Sequence, residues 1–418
     1  MIKRGFLLAF VLFSFWRSYP TPEEPAVFDS SRAYGLGVLK GRQVPVLHLR
    51  GSPYEMGYQQ GVLLRREIRG RVTSLYGELT LDPLPLLLQE ARLLGIPDEF
   101  REEMLGLAQG AGVSYTDILL LNSGPQLVAR PRSDEALHEL LTTFQPWFPP
   151  HVELHFSTPD EPPSRWVSLS PRATFALFGE ASEGGSLFHG VEGDMALEGV
   201  LLILYEPEAG NAFLSLSVPG MVGVRMGLNE EKISVAYLDV PSLDSSLRGV
   251  PLPFVLRQAL QYSGDLPQAL RIIASAPRIG GASVVIGDGK PASAAALELS
   301  AHRHALFEAQ EDYVVRTDHF LELPILQGEG DSRGSEERYS WEEMIRRGYG
   351  LFDLEKALFL LSHQCETGGG RCYPQKVEEE MMLGAVMAAS DLELWIISLD
   401  SGGAIGRWGF NLWEELER

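Results

Sequence analysis

The chain has 418 residues, 45% of them hydrophobic, with 22% charged. That is ample for a packed core and excludes a chain disordered as a whole. A formal net charge of -21 excludes the basic patches that nucleic acid and anionic membrane surfaces select.

The first element is a leader. Lys3 and Arg4 precede twelve mostly apolar residues, Gly5 to Trp16, the charged and hydrophobic regions of a secretory signal. The run is too short for an ordinary transmembrane helix, which needs about 20 residues. Phe15, Trp16 and Arg17 crowd the expected cleavage boundary, so a cleaved signal and a retained anchor both stand open. Residues 1–25 therefore read as a leader with a linker, and the mature chain as secreted or periplasmic. Any membrane contact runs through this segment.

Val44 to Arg50 reads as a strand. Ser52, Pro53 and Glu55 then have capping-box spacing with Pro at the first helical position. Gly57 and Gly61 fall on one face of that helix, a pattern for close helix packing. A second helical block, Glu99 to Ala108, leads through Gly110-Ala111-Gly112 into a helix from Tyr115 to Asn122. Residues 124–170, rich in proline, read as a variable insertion.

Next comes ATFALFGEASEGGSLFHGVEGD, from Ala173 to Asp194. Two apolar runs, Thr174 to Phe178 and Ser186 to His189, are split by Gly184-Gly185 and form a hairpin. Further strands follow at Val200 to Tyr205, Ala212 to Val218, Ile233 to Leu238, Ser283 to Ile286, Ala294 to Glu298 and Tyr313 to Phe320. Helices are expected at Pro253 to Tyr262 and Leu266 to Ala276. Strands come in antiparallel runs and helices in blocks, which indicates an α+β class. Cys365 and Cys372 flank Gly368-Gly369-Gly370; in an exported chain a small disulfide loop is the favoured reading, with free thiols as the alternative. His302 and His304 sit two apart on an expected strand, but no third ligand is evident, so a solvated strand is expected and no metal or cofactor.

These blocks, in order, resemble the isopenicillin N acyltransferase type of N-terminal-nucleophile hydrolases. The resemblance is carried by Leu49, Gly51, Tyr54, Glu55, Gly57 and Gly61, by Gly106 to Gly112, by Leu121-Asn122, by the hairpin, by Pro219-Gly220 with Gly223, and by Thr317-Asp318-His319-Phe320. It implies one domain over 40–410: a helical part at 44–123, the insertion at 124–170, and a core at 172–410. The implied fold is a four-layer αββα sandwich of two antiparallel sheets, and the implied chemistry is acyl transfer or hydrolysis of linear amides. The implied partner is a small amide or acyl ligand.

In that family a precursor cleaves itself before a Cys, whose freed amine then activates its own thiol. Aligned on Phe175, Gly179 and Asp194, the Cys position falls on Arg172, which has no nucleophilic atom to offer. Thr174 and Ser170 flank it on the same strand face, but a two-residue step moves the reacting atom by about 6–7 Å, against a tolerance of about 0.5 Å. The family's Gly-Arg-Asn-x-Asp appears as Gly190-Val191-Glu192-Gly193-Asp194, which retains Asp194. The oxyanion Asn is replaced by Asp318, whose charge opposes a developing oxyanion. His319 is read as structural or ligand-contacting. The later Ser and Arg positions correspond to Ser335 with Arg338, or to Ser332 with Arg333.

The leading expectation is thus an exported acyltransferase-fold protein with a degenerate site, in which Arg172 pairs with Asp194 or Glu192. The alternatives are a hydrolase with a displaced Thr174 or Ser170 nucleophile, and carboxylate chemistry using Glu192, Asp194 and Asp318.

Overall fold

The computed structural model describes residues 44–78, 91–129, 173–309, 311–324, 333–362, 380–401 and 403–416. The leader, most of the insertion, Ser170, Arg172, Ser332 and both cysteines lie outside the described residues. Among the described residues, no helix is long and apolar enough to cross a membrane.

Strand β1 (Val46–Gly51) runs into helix α1 (Pro53–Leu63) through the expected capping box. The Ser52 hydroxyl accepts the Glu55 N–H, while the Glu55 carboxylate accepts the Ser52 N–H at 2.9 Å. Helices α2 (Arg65–Glu78), α3 (Asp98–Ala111) and α4 (Tyr115–Ala129) follow. The glycine pattern is a helix-packing device. A β-carbon at Gly57 would fall 1.9 Å from Glu103 O on α3, and one at Gly106 would fall 2.1 Å from Tyr54 O on α1. Backbone meets backbone along this pair, which no larger residue permits. Helix α4 overruns its expected end at Asn122, passing through Pro125.

One sheet has the order β1-β4-β5-β6-β7-β8-β9-β10. Its further members are β4 (Leu201–Pro207), β5 (Phe213–Ser217), β6 (Met226–Asn229), β7 (Ile233–Asp239), β8 (Ala282–Asp288), β9 (Ser293–Leu299) and β10 (His304–Glu308). Helices α5 (Leu252–Tyr262) and α6 (Leu266–Ser275) interrupt them after β7. The second sheet has the order β11-β2-β3-β12-β13-β14. It is built from β2 (Ala173–Leu177), β3 (Phe188–Ala196), β11 (Tyr313–Thr317), β12 (Met381–Ala388), β13 (Glu393–Leu399) and β14 (Ile405–Asn411). Helices α7 (Arg333–Arg347) and α8 (Leu354–Ser362) precede β12, and α9 (Leu412–Leu416) ends the described chain.

The second sheet is antiparallel throughout, as expected, but the first is not. Its edge pair β1–β4 is parallel, Val46 opposite Leu202. The reason is topological: among the described residues, helices α1 to α4 and the first hairpin intervene, and a crossover of that length allows β4 to lie alongside β1 in the same direction.

Three buried clusters define four layers. Met56, Ile68, Phe100, Leu120, Phe254 and Ile273 of the helices pack on Ile203, Val235 and Ile286 of the first sheet. Leu202, Leu214, Ala236 and Val285 meet Ala176, Val191, Met387 and Ile396 between the sheets. Phe175, Val315, Val386 and Ile397 meet Trp341, Ile345, Leu358 and Leu361 of α7 and α8. Period-two alternation sorts each strand between two interfaces, so Ala176 enters the sheet–sheet core while Phe175 and Leu177 face the helices. The expected αββα sandwich is the observed one.

Candidate active site at the start of strand β2

The hairpin of β2 and β3 pairs Thr174 with Val191, Phe175 with Gly190, Ala176 with His189 and Leu177 with Phe188. Its turn holds Gly184 and Gly185 at φ 72° and 76°, the left-handed region where a β-carbon is costly. The second strand starts later than expected and runs on to Ala196. Gly190 has a packing reason to be glycine: a β-carbon there would fall 2.1 Å from the Phe175 ring. That ring in turn packs in a tilted arrangement on Trp341, with centroids 5.3 Å apart.

Thr174 is wholly buried and faces the space between the sheets. Its hydroxyl donates to Gly190 O at 3.0 Å and lies 3.1 Å from His189 Nε2. The other ring nitrogen, Nδ1, lies 3.0 Å from Ser234 Oγ on β7. A polar thread therefore crosses from one sheet to the other. One proton assignment satisfies every atom. Thr174 gives its proton to Gly190 O, His189 Nε2–H donates to Thr174, and Ser234 donates to Nδ1. Burial drives the His189 pKa down to about 3, so the ring is neutral. In this tautomer Nε2 has no lone pair for the Thr174 proton; in the other, Nδ1–H donates to Ser234 and Nε2 accepts from Thr174.

Arg316 on β11 stands opposite Thr174 in register and is also buried. Its Nη1 donates to Val315 O at 2.8 Å, and its guanidinium lies 4.2 Å from the Phe307 ring centroid. Its Nε lies 3.8 Å from Glu298 on β9. The Glu298 carboxylate accepts three successive backbone N–H groups, from Leu321 at 2.8 Å, Glu322 at 2.7 Å and Leu323 at 3.0 Å. A buried carboxylate is tolerated only with such partners. Here it fastens the segment after Thr317-Asp318-His319-Phe320 to the first sheet.

Within that motif, the strand stops at Thr317, short of the expected Phe320, because the chain turns. His319 N–H donates to Thr317 O at 2.8 Å, and His319 Nδ1 lies 2.7 Å from Thr317 Oγ1. His319 is buried and held by its own motif, while Asp318 is half-buried at the turn.

Of the carboxylates read from the sequence as one cluster, Glu192 faces away from Thr174. Glu192 follows Val191, which lies in the sheet–sheet core, and so occupies the opposite face of β3. Its partner in register is Gly384, where a β-carbon would fall 2.9 Å from Leu361 of α8. Glu192 is buried on the helix side, away from the face of Thr174. Asp194 lies on β3 and Arg338 on α7, with their side chains outside the described residues, as is the proposed partner Arg172. Ser335 also lies on α7. Among the described residues, no three His, Cys, Asp or Glu side chains are grouped to hold a metal ion. His302 sits in the turn before β10, so the strand spacing expected for His302 and His304 is not formed.

Sequence reasoning missed His189, Ser234, Arg316 and Glu298. A signal existed for two of them. Arg316 interrupts Tyr313-Val314-Val315, and Glu298 interrupts Ala294-Ala295-Ala296-Leu297, each a charge in an otherwise apolar strand that demands a buried partner.

Residues 194–346 match the family model described as acyl-coenzyme A:6-aminopenicillanic acid acyl-transferase, which bears out the resemblance read from the sequence. An uncharacterized protein of Archaeoglobus fulgidus is 26% identical over 397 residues, covering 84% of this chain and 63% of that one. Protein dcd1B of Dictyostelium discoideum is 24% identical over 327 residues, covering 68% of this chain and 56% of that one. The chain thus spans about three fifths of the length of these two curated relatives. Among solved structures, the Caenorhabditis elegans ortholog of N-acylethanolamine-hydrolyzing acid amidase is similar at 13% identity, over 52% of this chain and 93% of that one, with a TM-score of 0.38. Penicillin V acylase from Agrobacterium tumefaciens is similar at 12% identity, over 56% of this chain and 90% of that one, with a TM-score of 0.37.

Proposed function

We propose, for a chain whose segment 194–346 carries the acyl-coenzyme A:6-aminopenicillanic acid acyl-transferase signature, that the ancestral self-cleaving site is silent. The fold serves instead to hold a small acyl or amide ligand. The observation that carries this reading is the pairing of Arg172 in the nucleophile position with a Thr174 hydroxyl that is wholly buried and already bonded. No thiol or hydroxyl stands at residue 172 to attack the upstream peptide bond. The substitutions Glu192 and Asp318 support the same reading, since each removes a donor that the acyl-transfer site requires. Export of the chain is part of the proposal, supported by Lys3, Arg4 and the apolar run that follows.

A second reading has one observation in its favour, the 3.1 Å contact between Thr174 Oγ1 and His189 Nε2, which is a hydroxyl within reach of a base. The complete burial of Thr174 weighs against it.

Intact mass of the purified chain, before and after incubation with an electrophilic β-lactone probe, separates the two. The silent-site reading expects one uncut chain with no adduct on peptides spanning 165–180. Cleavage near residues 170–174, or an adduct on Thr174 or Ser170, would establish the second reading in its place.

A further inference from the structure

A second polar constellation lies outside the hairpin, in the loops at the end of the sandwich where β2 begins. Its centre is Asp244, in the loop after β7. One carboxylate oxygen accepts the Ser300 hydroxyl at 2.6 Å and the His302 backbone N–H at 3.1 Å. The other lies 2.6 Å from His302 Nδ1. Partial burial pushes the Asp244 carboxyl upward, but the bonds from His302 and Ser300 outweigh it and leave it below the usual carboxylate range. It is an anion when it meets the ring, so Nδ1 carries the proton and donates it. The tautomer that results has its lone pair on Nε2.

The His302 side chain is 68% exposed, so Nε2 is open to water. The turn that carries it is fixed from several sides. Ala301 N–H donates to Asp244 O at 3.2 Å, Arg303 N–H donates to Ser300 Oγ at 3.1 Å, and Asp244 N–H donates to Ser242 Oγ at 3.2 Å. The ring is therefore held by a carboxylate whose own position is set. Few exposed histidines are so placed. His304, two residues on, has no carboxylate on its ring among the described residues.

The position in the fold matters as much as the geometry. Gly281 packs between the loop of Ser242 and the ring of Phe320, since a β-carbon there would fall 2.6 Å from Ser242 Cβ and 3.1 Å from Phe320 Cζ. Ser300 follows Glu298 by two residues, and Glu298 holds the segment after Phe320. The Asp244–His302 pair thus belongs to the same loop cluster as Thr317-Asp318-His319-Phe320. Beside it, Leu243 is 61% exposed and offers an apolar surface to an acyl chain.

We propose that His302, oriented by Asp244, is a water-activating base at this end of the sandwich, acting on activated acyl esters. This goes beyond the silent-site reading and does not depend on residue 172. Nε2 takes a proton from water as the water oxygen bonds to the acyl carbon. The bond from that carbon to the leaving oxygen then breaks, and its electron pair departs with the alcohol or phenol oxygen. The imidazolium, held beside the Asp244 carboxylate, returns its proton to solvent. The free acid and the alcohol are the products, and no covalent intermediate on the protein is involved.

The probe is p-nitrophenyl acetate, hydrolysed by the full chain and followed by release of p-nitrophenolate across pH 5–9. The expected result is turnover above buffer that falls by about tenfold in His302→Gln and stays within about twofold in His304→Gln. Asp244→Asn is expected to lower the rate, because the ring loses the carboxylate that fixes its Nδ1–H tautomer. Circular dichroism of each variant checks the fold. A His302→Gln rate within twofold of the parent would overturn the proposal, as would equal loss in His304→Gln or no turnover above buffer. An acetyl adduct on residues 170–174 would overturn it in a different way, by assigning the hydrolysis to the hairpin, and would at the same time refute the silent-site reading.

Discussion

Thr174 and His189 join the two sheets through a single imidazole: the threonine hydroxyl lies 3.1 Å from Nε2, and Ser234 of the facing sheet lies 3.0 Å from Nδ1. One of the two hydroxyls that flank the expected nucleophile position is therefore part of the framework. Its removal is a stability experiment as well as a functional one.

Thr174→Val keeps the shape of the side chain and deletes its hydroxyl. Gly190 O loses a donor, and His189 Nε2 is left buried without its hydroxyl partner. An unmet buried polar group costs about 1–3 kcal/mol, so the urea midpoint is expected to fall by an amount corresponding to that cost. Thr174→Ser should restore most of it. An unchanged midpoint in Thr174→Val would mean that the polar thread contributes nothing.

Acid should act through His189. Its folded pKa is depressed to about 3 from an ordinary value of 6.5. The unfolded chain therefore binds a proton below pH 6.5 that the folded chain refuses until about pH 3. Stability from this group is fully present above the upper value and declines as pH falls through the window. The slope is about 1.4 kcal/mol per pH unit for one proton. Carboxylates titrate in the same range, so the informative quantity is the difference between the parent and His189→Asn. Denaturation at pH 4, 5, 6 and 7 should show a shallower acid loss in the variant, and parallel curves would count against the assignment.

The Glu298 carboxylate holds three backbone N–H groups and faces Arg316. Glu298→Gln leaves one acceptor oxygen where two served, and brings an NH2 group toward the same donors. Breaking a buried charge arrangement from one side costs about 3 kcal/mol. The segment after Phe320 should loosen with it, so hydrogen exchange at Leu321, Glu322 and Leu323 is expected to accelerate well beyond that of the distant strand β5. Equal protection in both variants would show that the segment is held by something else.

The α1–α3 contact gives a paired test. Gly57→Ala drives a methyl group into Glu103 O, where the ideal β-carbon position is 1.9 Å away, and overpacking of this kind costs about 3 kcal/mol. Gly70→Ala, in α2, meets nothing within 4 Å and should stabilise the helix by about 0.5–1 kcal/mol. Thermal unfolding should move in opposite directions for the two. Like behaviour would mean that the spacing of Gly57 and Gly61 reflects something other than backbone contact.

The amino-acid sequence alone determined the α+β class and the local elements, while the four layers were implied by the resemblance. Apolar runs of period two, glycines four apart in two blocks, and Ser52 with Glu55 specify local structure through contacts a few residues long, and such contacts need no knowledge of the rest of the chain. By the resemblance, the sequence also set Arg172 at the position that corresponds to the family's nucleophile. The tertiary structure alone decided which side chains meet. Glu192 and Val191 are neighbours in the chain, yet strand alternation sends one to the helices and the other to the sheet–sheet core. Thr174 and Ser234 are 60 residues apart and meet on one imidazole. Asp244 and His302 come together because two loops close the same end of the sandwich. Side-chain facing depends on register, and register is fixed by pairing with strands far away in sequence. The facing of Glu192 and the buried Thr174–His189–Ser234 thread could therefore be found only in the folded protein.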